Sequence, residues 1–184
     1  MFKKCLFLLM LVSAIWAQSM EVPVDVQINL YMKILNFDRN LTSRTQNNMV
    51  IGVIFQTKNK TSEEAKDQFI SGIAKISGGK IKEVSVRSVE IDIASNPNLS
   101  TAIQGVNALY ITPMRAVDIQ QICTIAQSRK IATFTGVESY VEEGISTGIG
   151  SQGGKPKIRI NLNSAKAEGV EYEATILKIA DLIQ

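Results

Sequence analysis

Three glycines, Gly148, Gly150 and Gly153, have the spacing Gly-x-Gly-x-x-Gly. That spacing holds a dinucleotide when a helix starts directly after it, because the free N–H groups of the helix then face the pyrophosphate. Pro156 follows instead, and Lys157-Ile158-Arg159-Ile160-Asn161-Leu162 alternates as a strand does. The nearby Gly153-Gly154-Lys155-Pro156 misses a P-loop too, with an extra glycine before Lys155 and proline where a Ser or Thr must reach magnesium. These glycines read as a hairpin tip. Glu63-Glu64 and Glu142-Glu143 are paired acids, but sequence neighbours on a helix do not face each other. They read as solvated side chains rather than an acid–base couple. Histidine is absent from all 184 residues. This removes Ser-His-Asp and Cys-His catalysis, histidine-ligated metals and a histidine pH switch. Two cysteines, Cys5 and Cys123, are too few for a thiolate zinc site. No catalytic residue, cofactor or metal ligand emerges, and the expectation is a protein that is not an enzyme.

A binding role leaves more room. In doubly wound sheets, ligands sit beyond the carboxyl ends of the strands. Those ends fall at Gln56-Thr57, Thr112-Pro113-Met114-Arg115 and Thr135-Gly136, with Ser139 and Tyr140 close behind. Thr57, Thr112, Arg115, Thr135, Gly136, Ser139 and Tyr140 are therefore the candidate lining of a shallow small-ligand pocket. The alternative is that they are ordinary polar loop residues.

The elements that would position these residues follow from periodicity. Val24, Ile28, Tyr31, Ile34 and Leu35 recur at helical spacing, so Val22 to Phe37 reads as an amphipathic helix, and Arg39 to Asn48 as a loop. Met49 to Phe55 is a continuous β-branched run suited to a strand buried on both faces. Thr61 and Glu64 form a capping-box pattern for a helix ending at Gly78 and Gly79. Ile81 to Ile93 alternates, with a break expected near Arg87 and Ser88. A short helix over Pro97 to Gly105, a strand over Ala108 to Thr112, a helix over Val117 to Arg129 and a strand over Lys130 to Thr135 follow. Ile145 to Ile149 and Lys157 to Leu162 flank the glycine-rich turn, Asn163 is placed to cap a helix from Ser164, and a final helix spans about Glu173 to Ile183. This order implies a single α/β domain: a largely parallel sheet with helices on both faces, then a C-terminal hairpin plus helix. Cys123 falls in the apolar pattern Ile119, Ile122, Cys123, Ala126 and reads as a buried thiol.

The first 19 residues read as something else. Lys3 and Lys4 precede an apolar run of about 13 residues, Cys5 to Ala17, and small residues follow. A membrane-spanning helix needs roughly 17–25 apolar residues, so a secretory signal peptide is the expectation, with cleavage after Ala17 or Ser19, and an uncleaved anchor as the alternative. Residues 20–184 then form the folded domain. Without Lys3, Lys4 and Cys5 the charge falls from +3 to +1 and one cysteine remains. A near-neutral domain lacks the basic footprint that nucleic acid demands.

The C-terminal stretch carries a family resemblance. Arg159-Ile160-Asn161-Leu162, then Ala165, Ala167, Gly169-Val170 and Ile176-Leu177-Lys178-Ile179-Ala180 resemble the ending of the YfiR family. Asn161, Ala165, Gly169, Leu177 and Ala180 carry the motif. The leader, the Tyr31 to Phe37 helix, Gly52-Val53-Ile54 and Ala108-Leu109-Tyr110-Ile111 fit the same layout. The resemblance implies a periplasmic, non-enzymatic regulator that binds a membrane-anchored sensor protein, a diguanylate cyclase or a kinase, and holds it inactive. In the cyclase case it restrains cyclic-di-GMP signalling. An accessory protein of a transport system that binds a small ligand is the alternative, and a homodimer fits either reading. Family members with cysteine pairs in the periplasm have no counterpart in a chain whose folded part holds Cys123 alone, so no disulfide switch carries over.

Overall fold

The computed structural model describes residues 20–76, 80–81, 83–96 and 98–184. The expected signal peptide at residues 1–19, and Gly78, Gly79 and Pro97, lie outside the described residues. Helix α1 (Val24–Leu35) and the short helix α2 (Leu41–Thr45) lead into β1 (Asn48–Phe55), α3 (Lys60–Lys75), β2 (Lys80–Ile81) and β3 (Val84–Asp92). Then come α4 (Leu99–Ala102), β4 (Ala108–Ile111), α5 (Ile119–Ser128), β5 (Ala132–Thr135) and α6 (Glu138–Glu142). The chain closes with β6 (Thr147–Gln152), β7 (Lys155–Asn161), α7 (Leu162–Ala167), α8 (Ala174–Leu177) and β8 (Asp181–Ile183).

One sheet of eight strands, in the order β2-β3-β1-β4-β5-β6-β7-β8, runs through the molecule. Strands β3, β1, β4, β5 and β6 are parallel, and β2 and β7 are antiparallel additions. Strand β1 is buried at every position after Asn48, as the apolar run demands of a central strand. Its two faces feed separate cores. Ile51 and Val53 pack with Tyr31, Phe69 and Tyr110 beneath α1 and α3, while Val50 and Ile54 pack with Leu109, Ile119 and Ile122 beneath α4 and α5. Tyr110 stacks on Phe69 with ring centres 4.0 Å apart, and Tyr31 donates its hydroxyl hydrogen to the Thr135 carbonyl. The α/β fold with helices on both faces is as the pattern requires.

Local details depart from the periodicity. Strand β3 is unbroken at Arg87 and Ser88, because β1 pairs with it from Ser85 to Asp92. Arg39 to Asn48 contains α2. Asn59 occupies the cap position of α3 without a side-chain cap bond, so Thr61 and Glu64 form no capping box. Asn161, not Asn163, caps α7, accepting from the Ser164 N–H at 3.0 Å. The final helix is one turn, Ala174–Leu177, and Asp181–Ile183 turns into a strand parallel to β7. Ile176 is buried but Ile179 is 61% exposed. Continuing the helix would gain little burial there and would leave the edge groups of β7 unpaired, whereas β8 satisfies them.

Candidate functional site

The parallel sheet reverses its winding between β1 and β4. The connection through α3 leads from β1 to β3 on one side, and the connection through α4 returns to β4 on the other. Ligands of such folds occupy the crevice beyond the carboxyl ends at this point. In this chain the crevice is filled by the protein's own amides. Gln56, directly after β1, accepts from the Arg115 N–H at 2.9 Å and donates to the Arg115 carbonyl at 3.1 Å. Asn59 donates to the Pro113 carbonyl at 3.3 Å. Ser62 Oγ lies 2.6 Å from Thr112 Oγ1 and accepts from the Gln56 N–H at 2.9 Å.

The residues expected at the strand ends divide accordingly. Thr112 is fully buried and donates to the Ile54 carbonyl at 2.9 Å. Thr135 is also fully buried; its hydroxyl donates to the Ile111 carbonyl at 2.9 Å and accepts from the Val137 N–H at 3.1 Å. Tyr140 is buried; its hydroxyl accepts from the Met114 N–H at 3.0 Å and donates to the Met114 carbonyl at 3.3 Å, and burial pushes its pKa up to about 12. Gly136 makes room for Gln27, since a Cβ would stand 2.2 Å from Gln27 Nε2. That buried amide of α1 accepts from Tyr110 at 2.8 Å and donates to the Val22 carbonyl at 2.7 Å. Thr57, Arg115 and Ser139 are exposed. Thr57 gives its N–H and hydroxyl to Asp92, at 3.1 and 2.7 Å. Partial burial pushes the Asp92 carboxyl up, but bonds from Ser95, Thr57 and the Ala94 N–H outweigh it and hold its pKa at about 2. Gln56 was placed at a strand end but not among the lining residues, and Asn59, Ser62 and Gln27 were not anticipated. Their signal was faint: polar amides and a hydroxyl at element ends, indistinguishable in sequence from solvated loop residues.

Beside this closed crevice lies a cleft of about 370 Å³, lined by Ile93 and Leu99 on one side and Val117, Asp118, Gln121 and Ile122 on the other. None of the seven residues expected at the strand ends lines it.

The amino ends of the strands hold a second polar cluster. Glu168, fully buried after α7, accepts from the Thr133 N–H at 2.9 Å and the Thr133 hydroxyl at 2.6 Å. Burial pushes its pKa up to about 7 against the opposing pull of Ser146, Thr133 and the Arg44 charge. Arg44 pairs with buried Asp38 at 2.5 Å. Gly144-Ile145-Ser146-Thr147-Gly148 has the Gly-x-Ser-x-Gly spacing of a nucleophile elbow. Yet Ser146 stands between α6 and β6 rather than at a strand-to-helix turn, is fully buried, and donates to the Thr133 carbonyl at 2.8 Å.

The glycines of the failed nucleotide motif have a packing role. Gly148 and Gly150 lie in β6, where a Cβ would meet Val141 at 2.3 Å and Glu138 at 2.8 Å, so they admit α6 against the strand. Gly153 sits in the turn with φ +59°. The C-terminal motif is structural too. Asn161 also donates to the Val141 carbonyl at 3.2 Å, Ala165 is on the buried side of α7, and Gly169 adopts φ +80°. Leu177 and Ala180 pack against the core beneath α1. Cys123 is buried, and burial, with the charges of Glu168 and Glu143 nearby, pushes its thiol up to about 12. Such a thiol is inert. Among the described residues, no group of three or more Cys, Asp or Glu is placed to hold a metal, and no helix is long and apolar enough to cross a membrane.

Comparison with solved structures finds the same architecture. A conserved domain protein from Vibrio cholerae O1 biovar El Tor shares 15% identity at a TM-score of 0.60, covering 88% of this chain and 60% of that one. The ABC domain in complex with L-Trp from Streptococcus pneumoniae shares 14% at 0.58, covering 83% and 61%. CD0873 from Clostridium difficile, a substrate binding protein with adhesive properties, shares 18% at 0.55 in its ligand-free, open structure, covering 79% and 57%. The chain thus spans about three fifths of the length of these proteins, and the likeness establishes the fold alone. No curated protein matches the sequence significantly. The YfiR/HmsC-like family model, however, matches residues 26–181, from α1 to the first residue of β8. The chain belongs to the YfiR/HmsC-like family.

Proposed function

We propose that this chain is a periplasmic regulator that acts by binding, not by catalysis. Exported by its leader, it docks on the extracytoplasmic part of a membrane-anchored diguanylate cyclase and holds that enzyme inactive, restraining cyclic-di-GMP signalling. The observation that carries this reading is the family match over residues 26–181. The filled crevice at the winding reversal supports it, because a sheet whose usual ligand position is taken up by Gln56 and Asn59 is free to work as a rigid docking body. Deleting the gene is expected to raise cellular cyclic-di-GMP severalfold, with the wild-type chain restoring the basal level. An unchanged level would remove the reading.

A second reading rests on the exposed polar side chains at the carboxyl ends of the strands. In it, a small metabolite binds at the carboxyl edge, with Arg115, Thr57 and Ser139 reaching it from the surface. Thr112, Thr135, Gly136 and Tyr140 hold the loops that form its walls. Screening metabolites by thermal shift tests this. The expected result is a stabilised melt that Arg115→Ala abolishes. A shift retained in that variant would take Arg115 out of the site.

A further inference from the structure

The described surface holds two exposed large hydrophobic side chains, Ile179 at 61% and Leu182 at 42% exposure. Leu182 lies in β8, and Ile179 in the turn that leads from α8 into it. Strand β8 pairs with β7 along one edge and stands at the end of the strand order, so among the described residues its other edge pairs with no strand. An open edge with apolar side chains beside it is a template for strand addition.

The two faces of this edge differ in chemistry. Asp181 stands opposite Arg159, and Leu182 opposite Ile160. Successive residues alternate faces, so Asp181 and Leu182 project to opposite sides. On the Asp181 side, one guanidinium serves three carboxylates. Arg159 lies 2.9 Å from Glu138, 3.2 Å from Glu142 and 3.6 Å from Asp181. The Arg159 side chain is 13% exposed, whereas the three acids are 44, 61 and 57% exposed. Negative charge is therefore in excess at the surface next to β8. Lys157 lies on the same face, but further toward the hairpin tip, where β8 does not reach.

We propose that the open edge of β8 is a docking site for an extended segment of a partner protein. The segment adds to the sheet as a further strand, with basic side chains facing Asp181 and apolar side chains facing Leu182. Opposite-charge and apolar cross-strand pairs of this kind favour pairing. The surface follows from the edge itself; only the identification of the partner as a cyclase rests on the function proposed above. A second copy of the chain fits less well. Antiparallel pairing of two β8 edges keeps like faces on one side, which brings Glu138, Glu142 and Asp181 of both copies together.

The test uses the purified chain with two synthetic heptapeptides, one alternating Lys and Val and one alternating Glu and Val. Calorimetry is expected to show the Lys/Val peptide binding at least tenfold more tightly. Hydrogen exchange should show new protection at residues 181–183. Asp181→Lys should reverse the preference between peptides. Leu182→Ser, which changes the opposite face, should weaken the Lys/Val peptide at least threefold, with circular dichroism of both variants matching wild type. Equal binding of the two peptides, protection elsewhere, or an unchanged preference in Asp181→Lys would overturn the proposal. So would protection of 181–183 that grows with protein concentration in the absence of peptide, because it gives the edge to a second copy. None of these readouts involves cyclic-di-GMP, so failure of the cyclase reading and failure of the docking edge are told apart.

Discussion

Glu168 is the residue at which sequence and fold are most sharply at odds in appearance. In the chain it is one acid among 17. In the fold it is a fully buried carboxyl between Thr133 and Ser146, with a pKa pushed from 4.5 to about 7. A carboxyl whose folded pKa is raised binds its proton more tightly folded than unfolded. Its contribution to stability is full below pH 4.5 and is lost as pH rises through 7. The shift corresponds to about 3 kcal/mol. Thermal melts of wild type should therefore fall in Tm between pH 5 and 8, and Glu168→Gln, which cannot ionise, should flatten that dependence. Parallel slopes in the two proteins would show that another group controls it. Nothing in the local sequence Lys166-Ala167-Glu168-Gly169 announces the burial. It comes from long-range placement, since Thr133 is 35 positions away.

At the scale of elements, legibility followed burial. The runs that became β1, β4 and β5, and the helical faces of α1, α3 and α5, were readable because the cores on both sides of the sheet select apolar residues at a fixed period. The last segment misled because Ile176, Leu177, Ile179, Ala180 and Ile183 suit a helix. The decision between helix and strand was taken by the unpaired edge of β7, which no local pattern reports. Close approaches of elements are similarly silent. Gly136 reads as a turn residue, yet it sets how near α1 comes to β5 through Gln27. Gly136→Ala is expected to push that amide away from Tyr110 and to cost about 1–3 kcal/mol, read as a lower midpoint in urea. An unchanged midpoint would mean that α1 shifts freely, and that the contact with Gln27 does not fix it.

The whole molecule is two cores sharing one set of strands. Ile51 and Val53 serve one side of β1 while Val50 and Ile54 serve the other, and Tyr110 and Leu109 divide β4 in the same way. Neither layer of helices can be lost without exposing the sheet that the other covers. Unfolding in urea should accordingly be a single transition, with far-UV circular dichroism and the exchange of amides in α3 and α5 changing at one denaturant concentration. Separate transitions for the two helices would show that the layers are independent. The candidate binding surfaces were less legible than the scaffold at this scale. The strand ends could be located from the sequence, but whether Thr112, Thr135 and Tyr140 faced solvent or served the interior depended on how the loops closed over them.

The closure at Gln56 also limits how this position can drift. A glutamine amide sets an N–H donor beside a carbonyl acceptor, so against Arg115 it imitates a peptide group and adds a rung of side-chain origin to the end of a backbone ladder. Glutamate has no hydrogen for the Arg115 carbonyl, lysine has no acceptor for the Arg115 N–H, and asparagine is one methylene too short. Homologous chains that keep glutamine at this point should share the sealed top of the sheet. Those that replace it should have a wettable mouth between the first and fourth strands, and with it a vacancy into which a metabolite can evolve to fit.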